Sequence, residues 1–503
     1  MATPTIPNGE EYFFPVIYEG NGAGQRVGKF VPFTDNGTIA NSVIFNDGDS
    51  PKLAITPSSN GNRRTWTFSA WIKRGVFGQK AFFSWDNTAP GGGGGGDFRF
   101  DSSHRLQLVA GGATSMYLIS NRTFEDTSKY YHIYIKVDTT QSTASDRVEI
   151  YVDGDKITSF STSTYPSQNK DFNINNTSYE TRFGALNDNG SLTSYFDGYL
   201  AEVNFVDGTN PAVSTFGVTD TSTGRWIPKT LTGITYGTNG FRLQFGDSSA
   251  LGDDTSGNTN DFTATNLAST DQTTDSPTQN FATGLGAFQT SYAMTMSEGN
   301  LKSAASGGSG QHGKSSSTLT FDANDSDGYY CEYTVNVTSS VGSNFNAVAI
   351  TVDREAYTVP NSSNGKVSGQ VRYMEDGRFR TTNLAGTLTD VSSWGSTWGD
   401  VSAPDIIGIF VKNNKIYFSK NGTWQNSADP NNETGGMDVE GTIGSNRVRF
   451  SHIGYQSGST YGTMTANFGQ KSFAYTPPTG YKKLNQDNLP ETAKGISGLV
   501  WTK

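Results

Sequence analysis

Cysteine is nearly absent from this 503-residue chain: Cys331 stands alone, so no disulfide can close within it. The four histidines (His104, His132, His312, His452) have no His-x-x-x-His or Cys-x-x-Cys company, so a zinc site has no visible ligands. Basic charge is scarce. Lys and Arg total 37 against 47 Asp and Glu, and the net charge of −10 argues against a nucleic-acid partner. No apolar run reaches the roughly 18 residues of a membrane-spanning helix, so no membrane insertion is expected. The opening Met-Ala-Thr-Pro-Thr-Ile-Pro-Asn has neither the basic region nor the apolar core of a signal peptide. No stretch repeats apolar residues at three and four, which excludes amphipathic helices. A Gly-x-Ser-x-Gly nucleophile elbow is also lacking. The six glycines Gly91–Gly96 precede neither a helix nor a Lys and read as a flexible loop, not a phosphate cradle.

What remains is rich in aromatics (12%), with 59 Gly, 23 Tyr and 31 Phe, while hydrophobic residues total only 34%. That balance belongs to antiparallel sheets with polar faces and many turns. The expected fold is all-β: two antiparallel β-sandwich (jelly-roll) domains in series behind an extended N-terminal arm. A large Gly- and Thr-rich β chain without bridges or export signal fits a particle assembled in a bacterial cytoplasm and released by lysis.

The organising stretch is Asp405–Trp424. Ile406 to Val411 is an apolar strand, Lys412-Asn413-Asn414 a polar turn, Ile416 to Phe418 a second strand, and Asn421-Gly422 a hairpin signal. This run, with its "KIYFSKNGTW", resembles the core strands of SPRY domains, which are bent two-sheet sandwiches that bind partners. The unit expected around it spans 291–485. It adds strands at Gly328–Val337, Ala347–Val352, Gly369–Tyr373 and Met464–Gly469, and Phe473–Gly480 resembles the family's closing strand and turn.

Upstream, residues 41–210 read as another sandwich. In Arg63–Arg74, Trp66, Phe68, Ala70 and Ile72 alternate with Thr67, Ser69, Trp71 and Lys73. The landmarks "TFSAWIKR", "IYVDG" and "FDGYLAEVNFVDG" resemble the laminin G-like, concanavalin A-like family, which implies a jelly roll. Between the two units, 211–290 reads as an extended bridge lying over both sandwiches, with one clear strand at Gly240–Gly246. At the front, 1–40 forms an arm whose Tyr12, Phe13, Phe14, Tyr18, Phe30 and Phe33 cannot bury themselves alone. Either they pack on the first sandwich or they dock the chain by adding a strand to another subunit. The tail 486–503 ends in Gly498-Leu-Val-Trp-Thr-Lys503, which looks like the opening of another strand. It reads either as an end that pairs with a neighbour or as a truncation.

Laminarinase-type hydrolases with this sandwich carry Glu-x-Asp-x-x-Glu on one strand, with the carboxylates in a cleft. The nearest approach is Glu202-Val-Asn-Phe-Val-Asp207, where Asn204 replaces the middle Asp. Glu202 and Asn204 read better as the solvent face of a strand whose Val203 and Phe205 face the core, so no enzyme is expected. Cys331 reads as a small buried side chain. No cofactor is expected beyond Ca2+, for which the loop carboxylates Asp86, Asp97, Asp153, Asp155 and Asp188 are candidates if they converge. Turn carboxylates otherwise only close Asx turns.

For binding, Trp394 and Trp398 lie among Gly and Ser in Ser392–Gly399, and Tyr455 and Tyr461 flank a second Gly/Ser-rich loop. Such aromatics either stack on sugar rings or plug the open end of the sandwich. The order of the two units, joined by the bridge Asp253–Thr283, resembles host-facing proteins of tailed bacteriophages of the marine type. That resemblance implies a non-enzymatic virion surface protein: a tail fibre or receptor-binding protein that attaches to host surface glycans or protein. The alternative is a head fibre, decoration or knob protein. A homo-oligomer is expected, since copy number multiplies weak contacts.

Overall fold

The computed structural model describes residues 37–86, 95–111, 115–188, 190–221, 223–285, 294–305, 311–337, 346–353, 367–399, 403–457 and 460–489. The arm residues Tyr12 to Phe33 and the terminal Gly498–Lys503 lie outside the described residues. The chain is nearly all β, built of antiparallel sandwiches.

The first sandwich closes two eight-stranded sheets over an aromatic core. Its inner sheet runs in the order Asp155–Lys156, Val148–Val152, Tyr131–Asp138, Thr65–Arg74, Gly198–Asp207, Ser42–Phe45, Gln272–Thr273, with Phe241–Leu243 also on Gly198–Asp207. The outer sheet runs Phe160–Thr164, Met116–Thr123, Arg105–Ala110, Gly96–Phe100, Lys80–Asp86, Glu180–Phe183, Lys52–Ile55, Thr263–Thr265. Period-2 alternation explains the core. Trp66, Phe68, Ala70 and Ile72 point inward to meet Phe82, Phe83, Trp85 and Phe98 from the other sheet. Trp66 and Trp85 meet edge to face at 5.9 Å.

The segment read as a bridge lends short strands to both of these sheets. Phe241–Leu243 pairs with Val203–Phe205, Thr263–Thr265 with Lys52–Ala54, and Gln272–Thr273 with Ser42 and Val43. It also reaches the second sandwich, where the N–H of Ala282 donates to the Leu484 carbonyl at 3.0 Å.

In the second sandwich the long hairpin Val448–Ser457 and Thr460–Asn467 passes from one sheet to the other, so both form one bent, continuous sheet. One layer carries Ala347–Val352, Gln370–Met374 and Phe379–Thr382; the other carries Tyr329–Val337, Asp405–Lys412 and Lys415–Lys420. Asn413 and Asn414 take φ of 49° and 58°, the left-handed pair that a tight hairpin requires, and Asn421-Gly422 repeats the device at 47° and 79°. Cys331 is fully buried in this core, and burial pushes its thiol well up.

Two expectations are corrected here. Phe473–Gly480 forms no strand. The N–H groups of Ala474 and Tyr475 donate to the Glu332 carboxylate at 2.8 and 3.1 Å, and Pro477 and Pro478 cannot donate to a ladder. Glu202 and Asn204 are not a solvent face either: both are buried. A bulge between Ala201 and Asn204 sets Glu202 at φ 44°. Glu202 then accepts from Arg242 Nε at 2.6 Å, and Asn204 Oδ1 accepts from the Tyr236 hydroxyl at 2.6 Å.

One continuous cluster of buried side chains joins the sandwiches. It starts on the back of the inner sheet at Ile44, Trp71, Tyr130 and Tyr199, passes Ala282 and Leu301, and enters the second core at Tyr333 and Phe450.

Candidate functional site

The inner sheet has its back against the rest of the chain, and the outer sheet turns a polar face away from the core. Strand alternation decides what that face presents. Asp97 and Arg99 alternate with the core residues Phe98 and Phe100; Gln107 alternates with Leu106 and Leu108; Arg182 alternates with Phe183. In-register pairing lines these side chains up across neighbouring strands: Arg182 lies opposite Ser84, Ser84 opposite Asp97, and Arg99 opposite Gln107.

The result is a row of paired charges running across five strands. Lys52 Nζ donates to Glu180 at 3.4 Å, and Glu180 accepts from Arg182 Nε at 2.8 Å. The other arm of the Arg182 guanidinium holds Asp86. Asp97 contacts Arg99 Nε at 3.1 Å, and the Gln107 amide, with its oxygen turned inward, accepts from Arg99 at 2.8 Å. Tyr117, alternating with the core residues Met116 and Leu118, extends the face at half burial.

Burial shapes the electrostatics. Asp97 is only 4% exposed, and burial pushes its carboxyl up to about 7. Arg99 opposes that shift and the neighbouring Asp86 charge adds to it. Burial also raises Asp86, against the pull of Arg182. The row therefore holds its guanidinium–carboxylate pairs largely away from water, Arg182 being only 1% exposed and Arg99 the more open of the two arginines. The hairpin Leu186–Asp188 and Ser191–Thr193 sits beside it, anchored where Asn187 N–H donates to Asp86 at 3.1 Å.

Residues 47–211 match the model of the concanavalin A-like lectin/glucanases superfamily. The matched segment contains every residue of this row. Weak structural likenesses accompany the match. Mouse laminin alpha1 domains LG4-5 share 10% identity at a TM-score of 0.26, over 88% of this chain and 96% of that one. The SPRY domain of human HERC1 shares 14% at 0.23, over 34% of this chain and 90% of that one. The CBM40 domain of a Ruminococcus gnavus sialidase, bound to alpha2,3 sialyllactose, shares 12% at 0.22, over 30% and 88%. No curated protein matches the chain.

The aromatics expected to stack on sugars lie elsewhere. Trp394 and Trp398 are 7% and 4% exposed and sit in the second core, against Tyr373, Phe379 and Phe418. Their faces are covered by neighbouring rings, so they plug the sandwich and cannot stack on a ligand. Tyr455 is half-buried, its ring 4.9 Å from that of His312. Tyr461 pairs with Gln456 through its backbone, and its side chain lies outside the described residues.

Of the cation candidates, Asp86 and Asp97 come together but each faces an arginine. Asp153 and Asp155 belong to the edge of the inner sheet, where Asp153 pairs with Arg122 and Lys129. Asp188 ends the adjacent hairpin strand. Among the described residues no three His, Cys, Asp or Glu side chains form a metal-holding group.

The residues that sequence reading missed are Lys52, Arg99, Gln107, Tyr117, Glu180 and Arg182. Their polar-apolar alternation was visible, but which strands are neighbours was not.

Proposed function

We propose that the chain is a non-catalytic glycan-recognition protein whose binding face is the outer sheet of the concanavalin A-like sandwich. The observation that carries this reading is the row Arg182–Asp86–Asp97–Arg99–Gln107, where Arg99 keeps partial exposure, with the half-buried ring of Tyr117 two strands along from Asp97. Sugar rings lay apolar C–H faces on an aromatic while paired donors and acceptors bond their hydroxyls. A non-catalytic role is supported by the burial of Glu202 and Asn204 in pairs with Arg242 and Tyr236, which takes the nearest hydrolase-like carboxylate out of play. More finely, the chain is a virion surface protein of a tailed phage, a tail fibre or receptor-binding protein, attached to other virion proteins through residues 1–40 and present in several copies. The bridge Asp253–Thr283 and the order of the two sandwiches support that finer reading through their resemblance to phage proteins.

The test is binding of the purified chain to a panel of isolated bacterial envelope polysaccharides. Tyr117→Ala should weaken binding about tenfold, the effect of losing about 1.4 kcal/mol, with the melting temperature nearly unchanged, whereas Arg99→Ala should weaken binding and also lower the melting temperature by leaving Asp97 without its partner. Unaltered binding in both variants would move the site off this face. Release of reducing sugar, lost in Glu202→Gln, would overturn the non-catalytic reading. Gold-labelled antibody on intact particles separates tail from head, and a head position would favour the decoration-protein alternative.

A further inference from the structure

The strand Thr65–Arg74 meets the segment entering the second sandwich at one fully enclosed cluster. Lys73 and Asp275 are both 0% exposed. The Lys73 Nζ donates to Asp275 Oδ2 at 2.9 Å, to Asn280 Oδ1 at 3.1 Å and to the Phe281 carbonyl at 2.8 Å. The second Asp275 oxygen accepts from Phe281 N–H at 3.0 Å, and the Asn280 amide nitrogen donates to the Ser128 carbonyl at 2.9 Å. The rings of Tyr199 and Tyr130 flank the amine, their centroids 5.4 and 5.6 Å from Nζ. An amine, a primary carboxamide and a carboxyl group are therefore locked together away from water.

We propose that Lys73 and Asn280 join in an intramolecular isopeptide bond, with Asp275 carrying the proton. Each group is placed for its part. Nζ rests against the amide carbonyl, a fixed approach that replaces an intermolecular encounter. Asp275 touches the same nitrogen and can relay protons between it and the amide. Burial works against the charge on both partners, lowering Lys73 and raising Asp275, so passing one Nζ proton to Asp275 frees the amine beside a carboxylic acid.

The step balances without any redox partner. The Nζ lone pair attacks the Asn280 Cγ as Asp275 protonates Oδ1. The Cγ–Nζ bond forms, and the tetrahedral centre collapses with loss of Nδ2 as ammonia. The leaving nitrogen takes up a proton that Nζ gives through Asp275, and the proton on Oδ1 returns to Asp275 as the carbonyl re-forms, so the carboxyl is regenerated and ammonia is the only product released. Asn280 is assigned as the acyl donor because its carbonyl faces Nζ while its leaving nitrogen faces the Ser128 carbonyl. The bond would tie residues 207 apart in sequence, fastening the first sandwich to the junction with the second.

The test is the mass of the purified full chain after denaturation. A deficit of about 17 Da from the sequence mass, once any loss of the first Met is counted, is expected for ammonia release. Trypsin should then yield a branched peptide joining Thr65–Arg74 to Leu243–Lys302, uncleaved after Lys73. Asn280→Ala and Asp275→Asn should each restore the sequence mass. A wild-type chain at its sequence mass overturns the proposal, as does a deficit of about 18 Da mapped to Asp275, the signature of water loss. A deficit that persists in Asn280→Ala overturns it too. If either variant fails to fold, the wild-type peptide map still decides.

Discussion

At the scale of single residues, the side chains that matter most are polar groups held where water is scarce. Asp97 is the clearest case. Its carboxyl sits at about 7 in the fold, against roughly 3.9 in an unfolded chain. The folded-state value is raised, so the contribution is fully present below about pH 4 and is lost as pH rises through 7. Asp97→Asn removes this dependence while keeping the shape. The variant should match wild type near pH 4 and gain on it as pH rises, by at most about 1.4 kcal/mol per pH unit. Urea unfolding of both proteins between pH 4 and 8 checks this, and parallel curves would show that Asp97 ionises normally. Asp197 and Glu375 also sit near 7, which is why the difference between the two proteins, not either curve alone, is the measurement.

At the scale of elements, side chains hold some loops where no ladder does. The Ser392–Gly399 loop is tied where the Tyr373 hydroxyl donates to the Ser396 carbonyl and where Ser396 N–H donates to Gln425 at 2.8 Å. Trp394 packs on Tyr373, Phe379 and Phe418, and Trp398 packs on Tyr373. Trp398→Ala should therefore cost about 3–5 kcal/mol and lower the melting temperature, with glycan binding per folded molecule unchanged. Lost binding at an unchanged melting temperature would return this loop to the recognition surface. Glu332 plays a similar part for the stretch beginning at Phe473. Its carboxylate replaces a missing strand partner for Ala474 and Tyr475, and Phe473 packs on Tyr330 at 4.8 Å.

At the scale of the whole molecule, the two sandwiches share buried surface that neither can cover alone. Trp71, Tyr130 and Tyr199 lie on the back of the inner sheet and join the core of the second unit. Residues 41–210 expressed alone would expose those rings and lose the strands Phe241–Leu243, Thr263–Thr265 and Gln272–Thr273 from the sheet edges. That fragment should aggregate or bind a hydrophobic dye and melt well below a fragment spanning 37–489. Equal melting of the two would mean that the shared core adds little stability.

Composition and alternation in the sequence determined the all-β class, the aromatic inward face of Thr65–Arg74, the two Asn-based turns of Asp405–Trp424 and the burial of Cys331, because each depends on neighbours within a few residues. Only the tertiary structure decided which strands lie side by side. Strand order brought Arg182, Asp86, Asp97, Arg99 and Gln107 into one row from separate segments. The same long-range packing put Trp394 and Trp398 inside, covered Glu202 and Asn204 with Arg242 and Tyr236, and set Lys73 against Asp275 and Asn280. A period of two states that a side chain faces one side of a sheet. Whether that side meets water, another sheet or a chemical partner depends on chain segments more than two hundred residues away.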